Sequence, residues 1–154
     1  MKKFLVLLTI LVLSGCSGVF TRSVCVKERH VSVQISKIEL AGVIHYADGQ
    51  SDLTGDDWTL LSQIAEHAKR TKAKVVIYGH ASHHTKAKDT VQRILINIKV
   101  SNDRAVKIMS GLWAYGVPLS DIKTMAMFDT KPVADEKDAR GEQANRRTEI
   151  YLYW

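Results

Sequence analysis

The side chains best able to do chemistry cluster in Gly79-His80-Ala81-Ser82-His83-His84, with Asp89 shortly after. A His-x-x-His-His pattern suggests metal. A zinc site needs three or four ligands in set geometry, and no cysteine and no clear fourth ligand accompany these three. His80 ends an apolar run, whereas His83 and His84 fall in the polar stretch beyond it. No metal and no other cofactor is expected. Ser82 beside His83 and His84 could pair a nucleophile with a base, but adjacency along the chain is not triad geometry. A Gly-x-Ser-x-Gly elbow is absent, as is a convincing pair of convergent carboxylates. The chain reads as a non-enzyme.

A second candidate is Arg104. Ser101 reads as the N-cap of a helix carrying Ala105, Ile108, Met109, Leu112 and Trp113 on one face, with Gly116 as its stop. That places Arg104 in the first turn, where a cation opposes the helix dipole at about 0.3–1 kcal/mol. The unpaired N–H groups of that turn point the same way. Together they would form a site for a carboxylate, with Asp103 offsetting the misplaced charge. On this reading Arg104→Ala leaves the fold intact.

The elements that must position these residues alternate. Ile38 to Tyr46 reads as a strand ending in the turn Ala47-Asp48-Gly49. Thr54 caps a helix, with Asp57 three residues on and Leu61, Ile64, Ala65 and Ala68 at helical spacing. Lys74 to Tyr78 and Ile122 to Phe128 read as strands, and Thr148 to Trp154 alternates as a strand with one face on a core. Val91, Ile94, Leu95 and Ile98 have helical spacing, yet His83 to Asp89 reads as a loop. Residues 83–100 are therefore either a short helix or a long excursion. The alternation predicts an α/β chain of two layers, helices packed on one mixed sheet.

Composition bounds the partners. The 154 residues hold 22 basic and 16 acidic side chains, a formal charge of +6. Such an excess favours acidic partners, among them carboxylated polymer and anionic lipid. The start of the chain fixes the compartment. Met1-Lys2-Lys3 is basic, Phe4 to Leu13 is apolar apart from Thr9, and Leu13-Ser14-Gly15-Cys16 follows. This is a secretory signal, too short for the roughly 20 residues of a membrane-spanning helix. The cysteine after the small pair resembles the bacterial lipoprotein signal, which implies cleavage before Cys16 and its acylation, palmitate included. The expected divisions are a signal peptide over 1–15, a lipidated N-terminus and linker over 16–36, and a single domain over 37–154. Losing Lys2 and Lys3 lowers the formal charge by two, to +4. Several acyl chains, each buried methylene contributing about 0.8 kcal/mol, make a stable tether. By the same resemblance, Ser17 rather than Asp points to the outer membrane, with the domain facing the periplasm. That compartment argues against nucleic acid. Val31, Val33 and Ile35 could add a short strand, and Cys25 would be the only remaining thiol.

Four segments carry a family resemblance: Gly79-His80, Asn97-Ile98-Lys99-Val100-Ser101-Asn102-Asp103-Arg104-Ala105, Tyr115-Gly116-Val117, and Asn145-Arg146-Arg147-Thr148-Glu149-Ile150. Their order and spacing resemble the OmpA-like domain of peptidoglycan-associated lipoproteins and flagellar stator proteins. The resemblance implies a βαβαβ-type, two-layer α+β domain that binds peptidoglycan stem peptides non-covalently and ties membrane to wall. It implies that Arg104 takes a ligand carboxylate, that Asn97 lies on the pocket side, and that the ring of His80 hydrogen-bonds the loop backbone. One of Arg146 and Arg147 should lie near the pocket, and Arg147 is taken as that residue. The family's Gly-His-Thr-Asp loop, whose aspartate pairs with the ligand ammonium, is replaced here by Gly79-His80-Ala81-Ser82, a variant form of that loop. Ser82 cannot supply the charge-assisted bond of a carboxylate, so Asp89 is expected to supply it from the insertion that follows. A domain without wall binding would instead serve as a structural module of an envelope-spanning secretion or motility apparatus, with envelope proteins as partners.

Overall fold

The computed structural model describes residues 37–154. The lipid attachment at Cys16, the signal over 1–15, the linker over 16–36, Cys25 and the short strand around Val31 to Ile35 lie outside the described residues.

Four strands form one mixed sheet: β1 (Ile38–His45), β2 (Lys74–His80), β3 (Ile122–Phe128) and β4 (Arg147–Tyr153). Their spatial order is β1-β4-β2-β3. β4 runs antiparallel to both β1 and β2, whereas β2 and β3 are parallel. Parallel neighbours need a crossover, and α2 (Thr90–Ala114) supplies it beside α1 (Gly55–Thr71). Both helices cover one sheet face, giving the expected two-layer α+β arrangement. Val75 and Ile77 of β2 and Ile150 and Leu152 of β4 are buried there with Ile44, Leu61, Ala105, Ile108 and Leu112. The period-two pattern of β4 is realised in register, with Ile77 opposite Ile150.

The start of α1 follows local chemistry. Thr54 Oγ1 accepts from Asp57 N–H at 3.2 Å, and the Asp57 carboxylate accepts from Thr54 N–H at 2.8 Å, a reciprocal capping box.

The start of α2 departs from expectation. One continuous helix of 25 residues begins at Thr90, capped by Asp89, whose carboxylate accepts from Gln92 N–H at 2.8 Å. Gln92 Oε1 in turn accepts from Lys88 N–H at 2.6 Å. Ser101 lies inside the helix, where its hydroxyl donates back to Ile98 O at 3.0 Å. A hydroxyl can satisfy itself on the preceding turn as well as cap, so its identity did not mark a boundary. Arg104 therefore sits mid-helix, and the helix-terminus argument for an anion site does not apply to it.

Two glycines set close approaches that shape the site. A Cβ on Gly79 would lie 1.9 Å from Ser101 O, so the end of β2 can touch the α2 backbone only without a side chain. A Cβ on Gly141 would meet Asp135 O at the same distance. Gly141 belongs to α3 (Ala139–Asn145), a short helix not anticipated from the sequence. It packs closely on Asp135, and its last residue, Asn145, bonds Val133, Ala134 and Glu136.

Candidate functional site

Three of the predicted site residues, Ser82, Asn97 and Arg104, lie together near the end of β2, where the chain leaves the sheet; Asp89 and Arg147 do not. Arg104, with 1% of its surface exposed, is among the largest fully buried side chains. Its Nε donates to Gln50 O at 2.8 Å, its Nη1 to His80 O at 2.8 Å and its Nη2 to Ala47 O at 3.4 Å. The guanidinium also lies 4.6 Å from the centre of the Tyr46 ring, a cation–π contact. It thus joins the turn after β1 to the end of β2. Burial pushes its pKa down to about 10, with Tyr46 opposing that shift, and it remains a cation at neutral pH. Burial likewise raises Tyr46 to about 12. Three of the five donors of an arginine are engaged by carbonyls, leaving two N–H bonds for a further acceptor.

Asn97 is buried one helical stretch earlier. Its Nδ2 donates to Ser82 O at 3.0 Å and its Oδ1 accepts from Thr85 Oγ1 at 2.6 Å, so it braces the turn from both sides. Ser82 is buried as well. Ser82, Asn97, Arg104, Arg146 and Asp48 face one small cavity of about 30 Å³, room for a water molecule rather than for a peptide. Arg146 donates from Nε to Tyr46 O at 3.3 Å and pairs with Glu142 at 3.3 Å.

Three expectations are corrected by this geometry. Arg147 is not on the cavity side. Successive strand residues point to opposite faces, and Arg147 lies on the helix-free face, paired with Glu149 at 2.7 Å and donating to Lys131 O at 3.2 Å. It lines an apolar groove of about 540 Å³ with Tyr78, His80, Met127 and Tyr151. Arg146 is the member of the pair at the cavity. Asp89 does not supply the missing carboxylate to it, because the residue is exposed and its side chain caps α2. The ring of His80 does not bond the loop backbone. Neither ring nitrogen has a hydrogen-bond partner, and it is the carbonyl of His80 that receives Arg104. Burial, reinforced by Arg147 and opposed by Glu149, lowers the His80 pKa to about 4.

The carboxylate beside Ser82 comes from elsewhere. Glu136 accepts from Ser82 Oγ at 2.9 Å, from His83 N–H at 2.9 Å, from His84 N–H at 3.0 Å and from Asn145 Nδ2 at 2.7 Å. Burial raises its pKa, but these hydrogen bonds outweigh burial and hold it below the usual carboxylate value. Asn145 also accepts from Val133 and Ala134 N–H and donates to Ala134 O, fixing the segment that carries Glu136. Asp129 at its start pairs with Arg93 and lies 2.9 Å from the exposed His83 ring. Sequence reasoning missed Glu136. It sits in Asp135-Glu136-Lys137-Asp138, which reads as a solvated charge run and has no period to betray burial. Among the described residues no group of three or more His, Cys, Asp or Glu side chains is placed to hold a metal ion. No helix among them is long and apolar enough to cross a membrane.

Comparison with known proteins agrees with this architecture. Residues 45–146 match the OmpA family. The chain is 37% identical over 57 residues to the probable lipoprotein YiaD of Escherichia coli strain K12; the match takes in 37% of this chain and 26% of that protein, about a quarter of its length. Among solved structures it is similar to the cell wall anchor of the T6SS from Pseudomonas aeruginosa, with 26% identity and a TM-score of 0.60 over 72% of this chain and 78% of that one. It is also similar to the peptidoglycan-associated lipoprotein from Burkholderia pseudomallei, with 20% identity and a TM-score of 0.60 over 73% and 89% of the two chains. The C-terminal domain of Helicobacter pylori MotB gives a TM-score of 0.61 at 17% identity over 71% and 83%. The last two likenesses establish the fold.

Proposed function

The chain belongs to the OmpA family, and on that premise we propose that it is an envelope lipoprotein whose domain binds peptidoglycan stem peptides non-covalently. Acylated Cys16 would hold it in the outer membrane, so that the domain ties membrane to wall from the periplasmic side without catalysis. The observation that carries the reading is that two arginines, Arg104 and Arg146, line one cavity with Ser82, Asn97 and Asp48. Two such cations suit a carboxylate, which an arginine can take through paired N–H bonds. Stem peptides end in carboxylates and carry them on their side chains. The T6SS likeness, from a protein described as a cell wall anchor, supports the same role.

The test uses the full chain in mild detergent, sedimented with purified sacculi. Wild type is expected to pellet. Arg146→Gln is expected to weaken binding about tenfold, the loss of roughly 1.4 kcal/mol of ion pairing, while the melting temperature moves little. Wild type remaining in the supernatant would sink the reading. That result would favour a second one, a structural module of an envelope apparatus that no longer holds the wall. The small volume of the cavity, about 30 Å³, is the observation on its side.

A further inference from the structure

With Glu136 in place, the cavity at Arg104 and Arg146 has only about 30 Å³, too little for a peptide carboxylate, and Glu136 holds the turn that lines it. Ser82 Oγ and the N–H groups of His83 and His84 converge on that one carboxylate at 2.9–3.0 Å. Consecutive N–H groups in a turn, joined by a hydroxyl, make a concave anion site. Its occupant comes from a distant segment, more than 50 residues along the chain. We propose that this turn is a carboxylate-binding subsite, that Glu136 fills it as an internal ligand, and that a stem-peptide carboxylate enters by displacing Glu136. The proposal rests on the wall-binding reading and adds the device that controls access to that site.

The hydrogen-bond inventory decides between plug and recognition element. Oε1 accepts from His83 N–H and Asn145, and Oε2 accepts from Ser82 and His84 N–H. A carboxylate with four donors has little capacity left for a ligand ammonium. An incoming carboxylate, by contrast, needs the same donors and could replace Glu136 bond for bond. The placement allows the exchange. Ser82 faces the small inner cavity, whereas Glu136, His83 and His84 line an outer cleft of about 590 Å³. The Ser82–Glu136 bond links a residue of the one to a residue of the other. Being on the same chain, Glu136 competes at high effective concentration, so the wild-type subsite is mostly occupied. The hydrogen bonds that hold the Glu136 carboxyl below its ordinary pKa keep it ionised at neutral pH.

The test titrates sodium acetate into the full chain in mild detergent, following the backbone amide resonances of His83 and His84, with sodium chloride as control. In wild type these amides are expected to stay fixed. In Glu136→Ala they should shift saturably with acetate, and sacculus binding should rise about tenfold because the fraction of chains with an open subsite no longer limits affinity. Glu136→Gln keeps the shape and one carbonyl acceptor and should respond in the same direction, less strongly. Folded variants whose amides ignore acetate would overturn the proposal. Unfolding of both variants would also overturn it, since a plug that ligand displaces cannot be needed for folding. The wall reading fails separately. If acetate shifts the amides of Glu136→Ala but neither it nor wild type pellets with sacculi, the subsite stands and wall binding does not. If both pellet equally and acetate has no effect, wall binding stands and the plug does not.

Discussion

The loop cluster at the end of the sheet and the helix-free face of the same sheet both bury charged residues, with opposite outcomes. In the loop cluster Arg104, Asn97, Asn145 and Glu136 each hold two or more hydrogen bonds to the chain. On the helix-free face His80 and Arg147 are buried with nitrogens that have no hydrogen-bond partner, the nearest carboxylate oxygen to His80 Nε2 being that of Glu149 at 3.7 Å. His80 belongs to both regions, giving its carbonyl to Arg104 and its ring to the groove. A satisfied polar network rigidifies what it joins, whereas a half-satisfied one costs stability and responds to protonation. The loop cluster is therefore suited to a precise binding site, and the groove end holds the buried histidine whose protonation opposes folding.

The largest expected effect tests the satisfied region. Arg104→Ala should destabilise the domain by about 3 kcal/mol or more, because it orphans three carbonyls and empties a fully buried site. Urea unfolding measures this; a loss under 1 kcal/mol would mean that the clamp is ornamental. Loss of wall binding by this variant alone would not identify a ligand contact, and for that reason Arg146→Gln is the better probe of the cavity.

The next effect tests the unsatisfied region. His80 has a folded pKa of about 4, below its unfolded value near 6.5. As pH falls, the unfolded chain binds the proton first. The contribution is therefore complete above pH 6.5 and is lost as pH falls toward 4, by roughly 3 kcal/mol in all. Melting temperature followed across this window should fall in wild type and flatten in His80→Gln. Equal slopes in the two proteins would remove His80 as the cause. Glu136 acts in the same sense at lower pH, its contribution vanishing as pH falls through its depressed folded pKa.

The smallest effect concerns a residue outside both regions. Asp89→Ala should cost about 1 kcal/mol, the usual loss for an N-cap, and leave sacculus binding unchanged. A selective loss of binding without that change in stability would return Asp89 to the ligand site.

Much of the fold was legible in local pattern. The strands at 74–78, 122–128 and 148–154 and the cap at Thr54 follow from periodicity and turn chemistry, which act between near neighbours and survive into the folded chain. The family segments around Asn97, Arg104 and Asn145 were likewise readable, and the fold brings them to one end of the sheet. What the tertiary structure alone decided was the partner of each polar group. Ser101 satisfies its hydroxyl on its own helix, so a cap-like residue became an interior one and moved Arg104 from a helix terminus to a buried clamp. The pleat of β4, once its register was set, sent Arg147 to the helix-free face, while Arg146, the C-cap residue of α3, lies at the cavity; the sequence Arg-Arg is the same for either outcome. Glu136 reaches Ser82 across more than 50 residues, through a segment whose course depends on Asn145 and on the close approach at Gly141. Hydrogen bonding between segments so far apart has no period and no local signature, so only the assembled fold could place that carboxylate in the turn.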